Sequence, residues 1–371
     1  MGKRVNVLIA GAGPAGLYFS YLAKRQWPEW RIRVVEQNPS DATFGFGVVF
    51  SDRALEFLQA DDPATYGLIT PELEAWVDLV VVHRGERVVI DGIGFNAIGR
   101  LHFLRFMQQQ AASVGVRPEF NTPVGGISGY DLVVAADGAN SAVRRTRDFG
   151  TRVTHCTNKF AWYGTPRRFE KLTQTFVEDE RGTFNVHHYP HSAAMSTFVV
   201  ECDAATWERA EFATMGEAQT KACLERVFAP VLQGAPLVSN KSIWRNFPNV
   251  RNERWHAGNV VLIGDALRTA HFSIGSGTRL AMEDAIALVK ALETEPRIDN
   301  ALQRFEAARR PIVEKLVAAA DQSGAWYDRF AEHMRLAPRE FAWSYIQRSG
   351  RIDPERLRRT SPKFVGAAYI T

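Results

Sequence analysis

The sequence predicts an α/β protein: a doubly wound nucleotide-binding domain, interrupted by an inserted antiparallel sheet and followed by C-terminal helices. Three observations predict it. An apolar strand at residues 5–10 runs straight into Gly11-Ala12-Gly13-Pro14-Ala15-Gly16. Two further apolar strands, at 130–136 and 259–263, close in glycine and aspartate, Asp137-Gly138 and Gly264-Asp265. Between those two, from residue 159 to 201, the pattern turns to short alternating strands.

The opening motif carries the most information. In G-x-G-x-x-G after a strand, Gly11 allows a tight turn, Gly13 lets the backbone approach a pyrophosphate, and Gly16 lets the next helix lie close on the sheet. That helix, expected over 17–24, offers its first N–H groups to phosphate. A second strand at 32–35 leads to Glu36, 20 residues after Gly16, where a carboxylate accepts ribose hydroxyls, with Gln37 beside it. The unit is Rossmann-like. In Phe44-Gly45-Phe46-Gly47-Val48-Val49-Phe50 two glycines stand among aromatics, as where backbone presses on a flat group or simply turns, and Ser51 is expected to cap a short helix.

A hairpin is expected over 77–90, turning at Arg84-Gly85-Glu86. Gly92-Ile93-Gly94-Phe95-Asn96-Ala97 imitates a second fingerprint, with Glu119 at a suitable distance, but it follows a hairpin rather than opening a β-α-β unit, so it is read as a turn. Arg100 starts a helix over 100–112 beside the first glycine loop, and a strand is expected at 116–120. The strand at 130–136 is expected to run past Asp137-Gly138 into a helix with Arg144 and Arg145. In the inserted sheet, Trp162, Tyr163, His187, His188 and Tyr189 would suit the wall of a pocket for a flat ring. After Gly264-Asp265, His271 precedes Gly275-Ser276-Gly277-Thr278, glycines before a long helix at 279–292 that make another anion-seeking N-terminus. The rest reads as helical. These expectations divide the chain into a discontinuous nucleotide domain (1–76, 98–158, 250–320), a sheet domain (77–97, 159–249) and a C-terminal helical segment (321–371).

Composition narrows the partners. At 371 residues, 46% hydrophobic and net +4, the chain can bury a large core; its arginines are scattered, which favours an anionic small molecule over nucleic acid. Cys156, Cys202 and Cys223 are too few and too far apart for a zinc site or disulfide framework, so no metal is expected. No apolar run is long enough to span a membrane, and the glycine motif lies where a secretory leader would still be running, so a cytoplasmic location is expected.

Taken together, Gly11 to Gly16 with Glu36, Asp137-Gly138, and Gly264-Asp265, in this order and spacing, resemble the class A flavoprotein aromatic hydroxylases, the p-hydroxybenzoate hydroxylase-like group, over nearly the whole chain. The resemblance implies an FAD-binding domain of the GR2 type with FAD as cofactor. Glu36 would meet the adenosine ribose, Arg100 the pyrophosphate and Asp265 the ribityl side. Gly275 to Thr278 would lie beneath the pyrimidine end of the flavin, and Asp137-Gly138 would serve both FAD and the nicotinamide. NAD(P)H would reduce the flavin, O2 would be captured as a C4a-hydroperoxide, and one oxygen would pass to an electron-rich ring.

The wording of residues 43–51, 162–165, 195–201 and 271–278 is similar to the branch acting on aryl-CoA thioesters, salicylyl or anthraniloyl, and next to the tryptophan hydroxylases of violacein biosynthesis. His271 stands where most of the wider family has proline. The substrate implied is a small aromatic acyl group on CoA, hydroxylated at C5, para to its ortho hydroxyl or amino group, by a monomer or homodimer. To accept a proton or hydrogen bond from that group, the candidates are His187, His188, Tyr163 and His271; for the CoA phosphates they are Arg144, Arg145, Arg167 and Arg168. A flavin reductase or sensor that never hydroxylates would share the same glycine motifs.

Overall fold

A computed structural model describes residues 4–51 and 55–366. Its sixteen strands among the described residues are β1 (Asn6–Ala10), β2 (Arg31–Val35), β3 (Gly47–Ser51), β4 (Glu74–Trp76), β5 (Leu79–His83), β6 (Glu86–Ile90), β7 (Phe95–Gly99), β8 (Leu132–Ala135), β9 (Arg152–Thr165), β10 (Thr173–Asp179), β11 (Gly182–Pro190), β12 (Ser196–Cys202), β13 (Val238–Ser239), β14 (Arg245–Arg251), β15 (His256–Ala257) and β16 (Val260–Leu262). The four longest helices are α1 (Pro14–Gln26), α2 (Arg100–Ser113), α3 (Gly277–Thr294) and α4 (Ile298–Tyr327).

The nucleotide-type sheet has the order β15-β16-β8-β1-β2, with β2, β1, β8 and β16 all parallel. Parallel strands covered on both faces read as continuous apolar runs, and Val7 to Ala10 and Leu132 to Ala135 are all buried. Helices α1 and α3 pack together over this sheet, and α4 packs on α3. Leu17 and Phe19 of α1 are fully buried, which stabilises by about 1.5–3 kcal/mol each.

The second sheet has eight strands in the order β13-β9-β12-β11-β10-β5-β6, with β14 on the far side of β9. It is antiparallel except where β5 joins β10 in parallel, which brings the hairpin of residues 79–90 into the sheet made by the later strands. One face packs against the helices of residues 204–232, and the other meets the C-terminal helices around Trp326, Phe341 and Tyr345. A third, small sheet has the order β3-β7-β4.

Several expectations are corrected. Residues 116–120 form one bridge, Val35 to Glu119, because Pro118 has no N–H to give a ladder. The helix expected after Asp137 is only a 3-10 turn, Arg144–Thr146, since the Asp137 carboxylate takes the N–H groups of Ala142 (2.7 Å) and Val143 (3.1 Å). Ser51 ends β3 instead of capping a helix; the helix runs Glu56–Asp61, and residues 52–54 lie outside the described residues. Of the 92–97 stretch, read as a turn, only 92–94 lies outside a strand, with Gly92 at φ +67°; residues 95–97 already belong to β7. The divisions expected at 158/159 and 320/321 fall inside β9 and α4, which run through them unbroken. No helix among the described residues is long and apolar enough to cross a membrane.

Candidate functional site

The first glycine loop explains itself by close contacts. Gly11 has φ +99°, and a Cβ there would lie 2.3 Å from the Ala136 carbonyl oxygen; one on Gly16 would lie 2.0 Å from that of Gly11. Both glycines therefore let α1 settle onto the ends of β1 and β8. Gly13 differs, because nothing lies within 4 Å of where its Cβ would be. It caps α1, with Pro14 in the first turn, and its open side faces a cavity lined also by Pro14 and Ala15. At the end of β2, Glu36 accepts the Ala12 N–H at 2.9 Å and the Asn38 backbone and side-chain N–H groups at 2.9 and 2.7 Å. Its carboxylate is thus held against the glycine turn, while Gln37 is exposed.

Three more stretches reach the same cavity. Gly138 (φ +79°) and Gly264 (φ +60°) line it at the ends of β8 and β16. Asp137 does not; it holds the turn behind Gly138. Asp265 projects into the cavity opposite Arg100, the first residue of α2, whose N–H donates to the Phe46 carbonyl at 2.7 Å. Crowding by protein raises the Asp265 carboxyl, opposed by Arg268 and Arg100. Gly275 (φ +60°), Gly277 and Thr278 bring the N-terminus of α3 to the wall. Gly47 and Val48 complete it from β3; a Cβ on Gly47 would lie 2.4 Å from Thr197 Oγ1.

The remaining wall comes from one face of the eight-stranded sheet. Trp162, Gln174, His187, Tyr189 and Val199 all lie on it, with Phe247, Phe272 and Arg348 closing around them. Strand alternation decides which candidates can take part. His187 pairs with Gln174 and Val199 and faces the cavity; His188, one residue on, turns to the other face, where it packs tilted against Phe169 with ring centres 4.0 Å apart and bonds Thr175 Oγ1 at 3.0 Å. Tyr163 likewise turns away from Trp162 into the core beneath the sheet. His188 and Tyr163 are therefore corrected: neither lines the cavity. His271 sits behind it, its Nδ1 2.8 Å from Ser273 Oγ and its ring packed on Phe272 and Gly324, while Ala270, Phe272 and Ser273 form the wall. Burial pushes His271 down to about 3, so it is neutral.

Sequence reasoning missed three residues. Glu201, on β12 next to His187, is 2% exposed, and its Oε2 lies 3.9 Å from His187 Nε2; neither atom has a hydrogen-bond partner. Its other oxygen accepts from Asn158 Nδ2 at 2.9 Å, and Asn158 is held by the Tyr327 carbonyl. Burial pushes Glu201 up to about 8, with the Asn158 bond opposing and Asp328 adding, while burial, Arg348, His271 and His188 hold His187 well below its ordinary range. Arg348 reaches the cavity from beyond the helix Pro338–Gln347, stacked 3.9 Å from the Tyr345 ring centre and bonded to the carbonyls of Tyr345 and Ser273. Asp284 in α3 is fully buried between Arg268 (2.8 Å) and Arg309 (3.3 Å) and takes the Gly264 N–H at 3.0 Å, fixing the turn that presents Asp265. The pattern around Glu201 was that of an ordinary strand, and nothing local marked Arg348 or Asp284.

The four arginines considered for phosphate do not converge. Arg144 is buried and bonds the carbonyls of Ala266 and Ala139; Arg145 bonds Asn140; Arg167 lies over Phe169, and Arg168 pairs with Glu74.

Residues 101–320 match the family described as FAD binding domain. The chain is 40% identical to salicyloyl-CoA 5-hydroxylase of a Streptomyces species over 361 residues, 93% of this chain and 70% of that protein. The chain belongs to the FAD-dependent aromatic monooxygenases. Two other relatives of this hydroxylase are 3-hydroxy-4-methyl-anthranilyl-[aryl-carrier protein] 5-monooxygenase of Streptosporangium sibiricum (38% identical, 88% of this chain, 90% of that one) and protodeoxyviolaceinate monooxygenase of Chromobacterium violaceum (35%, 94% and 96%). Among solved structures, 2-methyl-3-hydroxypyridine-5-carboxylic acid oxygenase superposes with a TM-score of 0.73 at 17% identity, covering 97% of this chain and 96% of that one. The cofactor of this chain is FAD, with NAD(P)H as co-substrate, and the cavity fits that group: open backbone at Gly13 and Gly277, a helix N-terminus, and the Asp265 carboxyl on its wall.

Proposed function

We propose that this hydroxylase acts on an aryl thioester, salicyloyl or anthraniloyl, and inserts oxygen at C5, para to the ortho hydroxyl or amino group. What carries the reading is the pairing of a flat aromatic slot, walled by Trp162, Phe247 and Phe272, with a single imidazole, His187, backed by Glu201. The names of the Streptomyces and Streptosporangium relatives support the thioester and the position.

In this reading Glu36 accepts the adenosine ribose hydroxyls, while Gly11, Gly13, Pro14, Ala15 and Gly16 bring α1 to the pyrophosphate with Arg100 nearby. Asp265 and Gly264 take the ribityl side. Gly47, Val48 and Gly138 bound the ring, and the N–H groups at Gly275, Gly277 and Thr278 stabilise negative charge at its pyrimidine end. When bound, the reduced flavin activates O2 and supplies one oxygen atom to the substrate ring. The protein's part is to hold the ring, exclude water and manage the ortho group's proton. An ionised Glu201 places negative charge 3.9 Å from His187 Nε2, favouring a proton on that nitrogen and leaving the other to accept from the substrate. A protonated Glu201 removes that bias.

The test is the rate of flavin reduction by NADH and by NADPH with salicyloyl-CoA, anthraniloyl-CoA, free salicylate or tryptophan present, with products identified by mass. Acceleration by an aryl-CoA, with a product heavier by one oxygen, is expected. Acceleration by tryptophan alone would move the chain to the violacein-type reading, and reduction with no oxygenated product from any substrate would sink hydroxylation of these compounds.

A further inference from the structure

A second feature lies behind the Trp162 wall of the cavity. The loop of residues 43–46, before β3, and the loop of residues 240–244, between β13 and β14, are tied together by Asn240, whose side-chain amide donates to the carbonyls of Thr43 (3.0 Å) and Gly45 (3.1 Å). Both loops lie on Trp162. A Cβ on Gly45 would stand 2.7 Å from the indole, and Ser242 Oγ donates to the Trp162 carbonyl. Because Trp162 lines the cavity, these loops are one side chain away from the substrate slot.

On their outer side Phe44 is 43% exposed and Ile243 59% exposed. The Lys241 ammonium and the Arg245 guanidinium both sit 5.3 Å from the Phe44 ring centre. Among the described residues no carboxylate pairs with either. That is unlike Arg33, Arg152, Arg168 or Lys171, each of which has an acidic partner. Lys241 also has φ 53°, a left-handed conformation that a lysine adopts only at a cost. Two uncompensated cations clamped over an exposed ring, beside exposed aliphatic surface, match a ligand with an anionic head on a partly apolar arm.

We infer that Phe44, Lys241 and Arg245 form a binding site for the phosphate of the phosphopantetheine arm that carries the aryl thioester. This rests on the thioester reading above. The arm is common to CoA and to carrier proteins, so the site serves a substrate from either source: its apolar part lies along Phe44 and Ile243, and its phosphate between Lys241 and Arg245. It also replaces Arg144 and Arg145, which bond backbone carbonyls, Arg168, which pairs with Glu74, and Arg167, a single cation over the partly buried Phe169 where Lys241 and Arg245 are two over an exposed ring.

The experiment uses the K241A/R245A variant of the FAD-loaded enzyme. Salicyloyl-CoA, salicyloyl-4′-phosphopantetheine, a salicyloyl carrier protein and the phosphate-free salicyloyl-N-acetylcysteamine are the substrates, and calorimetric binding of free CoA is a second readout. The expected result is a KM about tenfold higher for all three phosphate-bearing thioesters, with kcat unchanged and the N-acetylcysteamine thioester unaffected. The wild-type KM for salicyloyl-CoA should rise with salt and that of the variant should not, and K241R/R245K should restore it. The lower KM between CoA and carrier-protein forms identifies the source. An equal loss on the phosphate-free thioester, or no loss on salicyloyl-CoA, would overturn the site. If salicyloyl-CoA is turned over no better than the phosphate-free thioester, the site falls and the thioester reading stands. If no thioester is turned over but free CoA binds, about tenfold weaker to the variant, the site stands and the substrate reading falls.

Discussion

The two faces of the eight-stranded sheet carry similar residues and do different work. One face presents Trp162, Gln174, His187, Tyr189 and Glu201 toward the cavity and the C-terminal helices; the other presents Tyr163, Phe184, Val186, His188 and Phe198 to a closed core under the helices of residues 204–232. Each face has a buried histidine and an aromatic neighbour. On the core face the histidine bonds Thr175 through Nε2 and is enclosed by two phenylalanine rings; its Nδ1 is unpartnered, but the cavity does not open onto it. On the cavity face it has an open side and an unpartnered carboxylate. An incompletely satisfied polar pair is costly in a core, and at a cavity wall it is available to a ligand.

The largest expected break in this comparison is between His187 and His188. His187→Gln should lower the turnover of a salicyl-type substrate about a hundredfold, the usual worth of a positioned proton acceptor, while leaving flavin content unchanged. His188→Gln should leave kcat within a fewfold and cost about 1–3 kcal/mol of stability, because it disturbs a buried bond and a packed ring. Steady-state kinetics with a denaturant titration checks both. If His188→Gln were the inactive one, the division between faces would be wrong.

Glu201 on the one face and His188 on the other should also titrate in opposite directions. Glu201 is raised to about 8, so its contribution to stability is complete below its ordinary value near 4.5 and is lost as pH rises through about 8. His188 is lowered to about 3, so its contribution is complete above its ordinary 6.5 and is lost as pH falls toward 3. Glu201→Gln should therefore flatten the alkaline fall in melting temperature, and His188→Gln should make the acid fall shallower. In kinetics, turnover with a hydroxyl-bearing substrate should rise several-fold as pH passes about 8, and Glu201→Gln should abolish that rise. A pH profile unchanged in Glu201→Gln would remove Glu201 from the proton's path.

What the sequence made legible follows from the range of each signal. Gly11 to Gly16, Glu36, Gly264-Asp265 and Gly275 to Thr278 are local motifs whose geometry is fixed by their own backbone; Gly13 to Ala15, Gly264-Asp265 and Gly275 to Thr278 line the cavity, while Gly11, Gly16 and Glu36 shape the turn behind it. The sheet strands were legible by alternation, yet which of two adjacent residues faces inward depends on what packs against the sheet. His187-His188 and Trp162-Tyr163 could not be separated without it. Glu201, Arg348 and Asp284 are further still, since their meaning comes from partners at long chain separation: Arg348 reaches the carbonyl of Ser273, and Asp284 the N–H of Gly264. Arg100 combines the two cases, being legible as a helix start but placed opposite Asp265 only by tertiary packing.

The smallest effect sharpens the comparison most cleanly. Tyr163 is fully buried on the core face, and its hydroxyl makes one contact, to the Ser242 carbonyl at 3.5 Å, which is at the limit of a hydrogen bond. Removing that oxygen takes away a weak donor and leaves the ring packing intact, so Tyr163→Phe should change stability by less than about 1 kcal/mol and leave kcat and its pH dependence alone. Its neighbour Trp162 offers no such neutrality, because its ring is both cavity wall and support for Gly45. Trp162→Phe should raise KM for every aryl substrate, phosphate-bearing or not, which separates it from Lys241 and Arg245. A Tyr163→Phe enzyme with an altered pH profile would mean that the proton's path crosses the sheet, and the two faces could no longer be treated as separate.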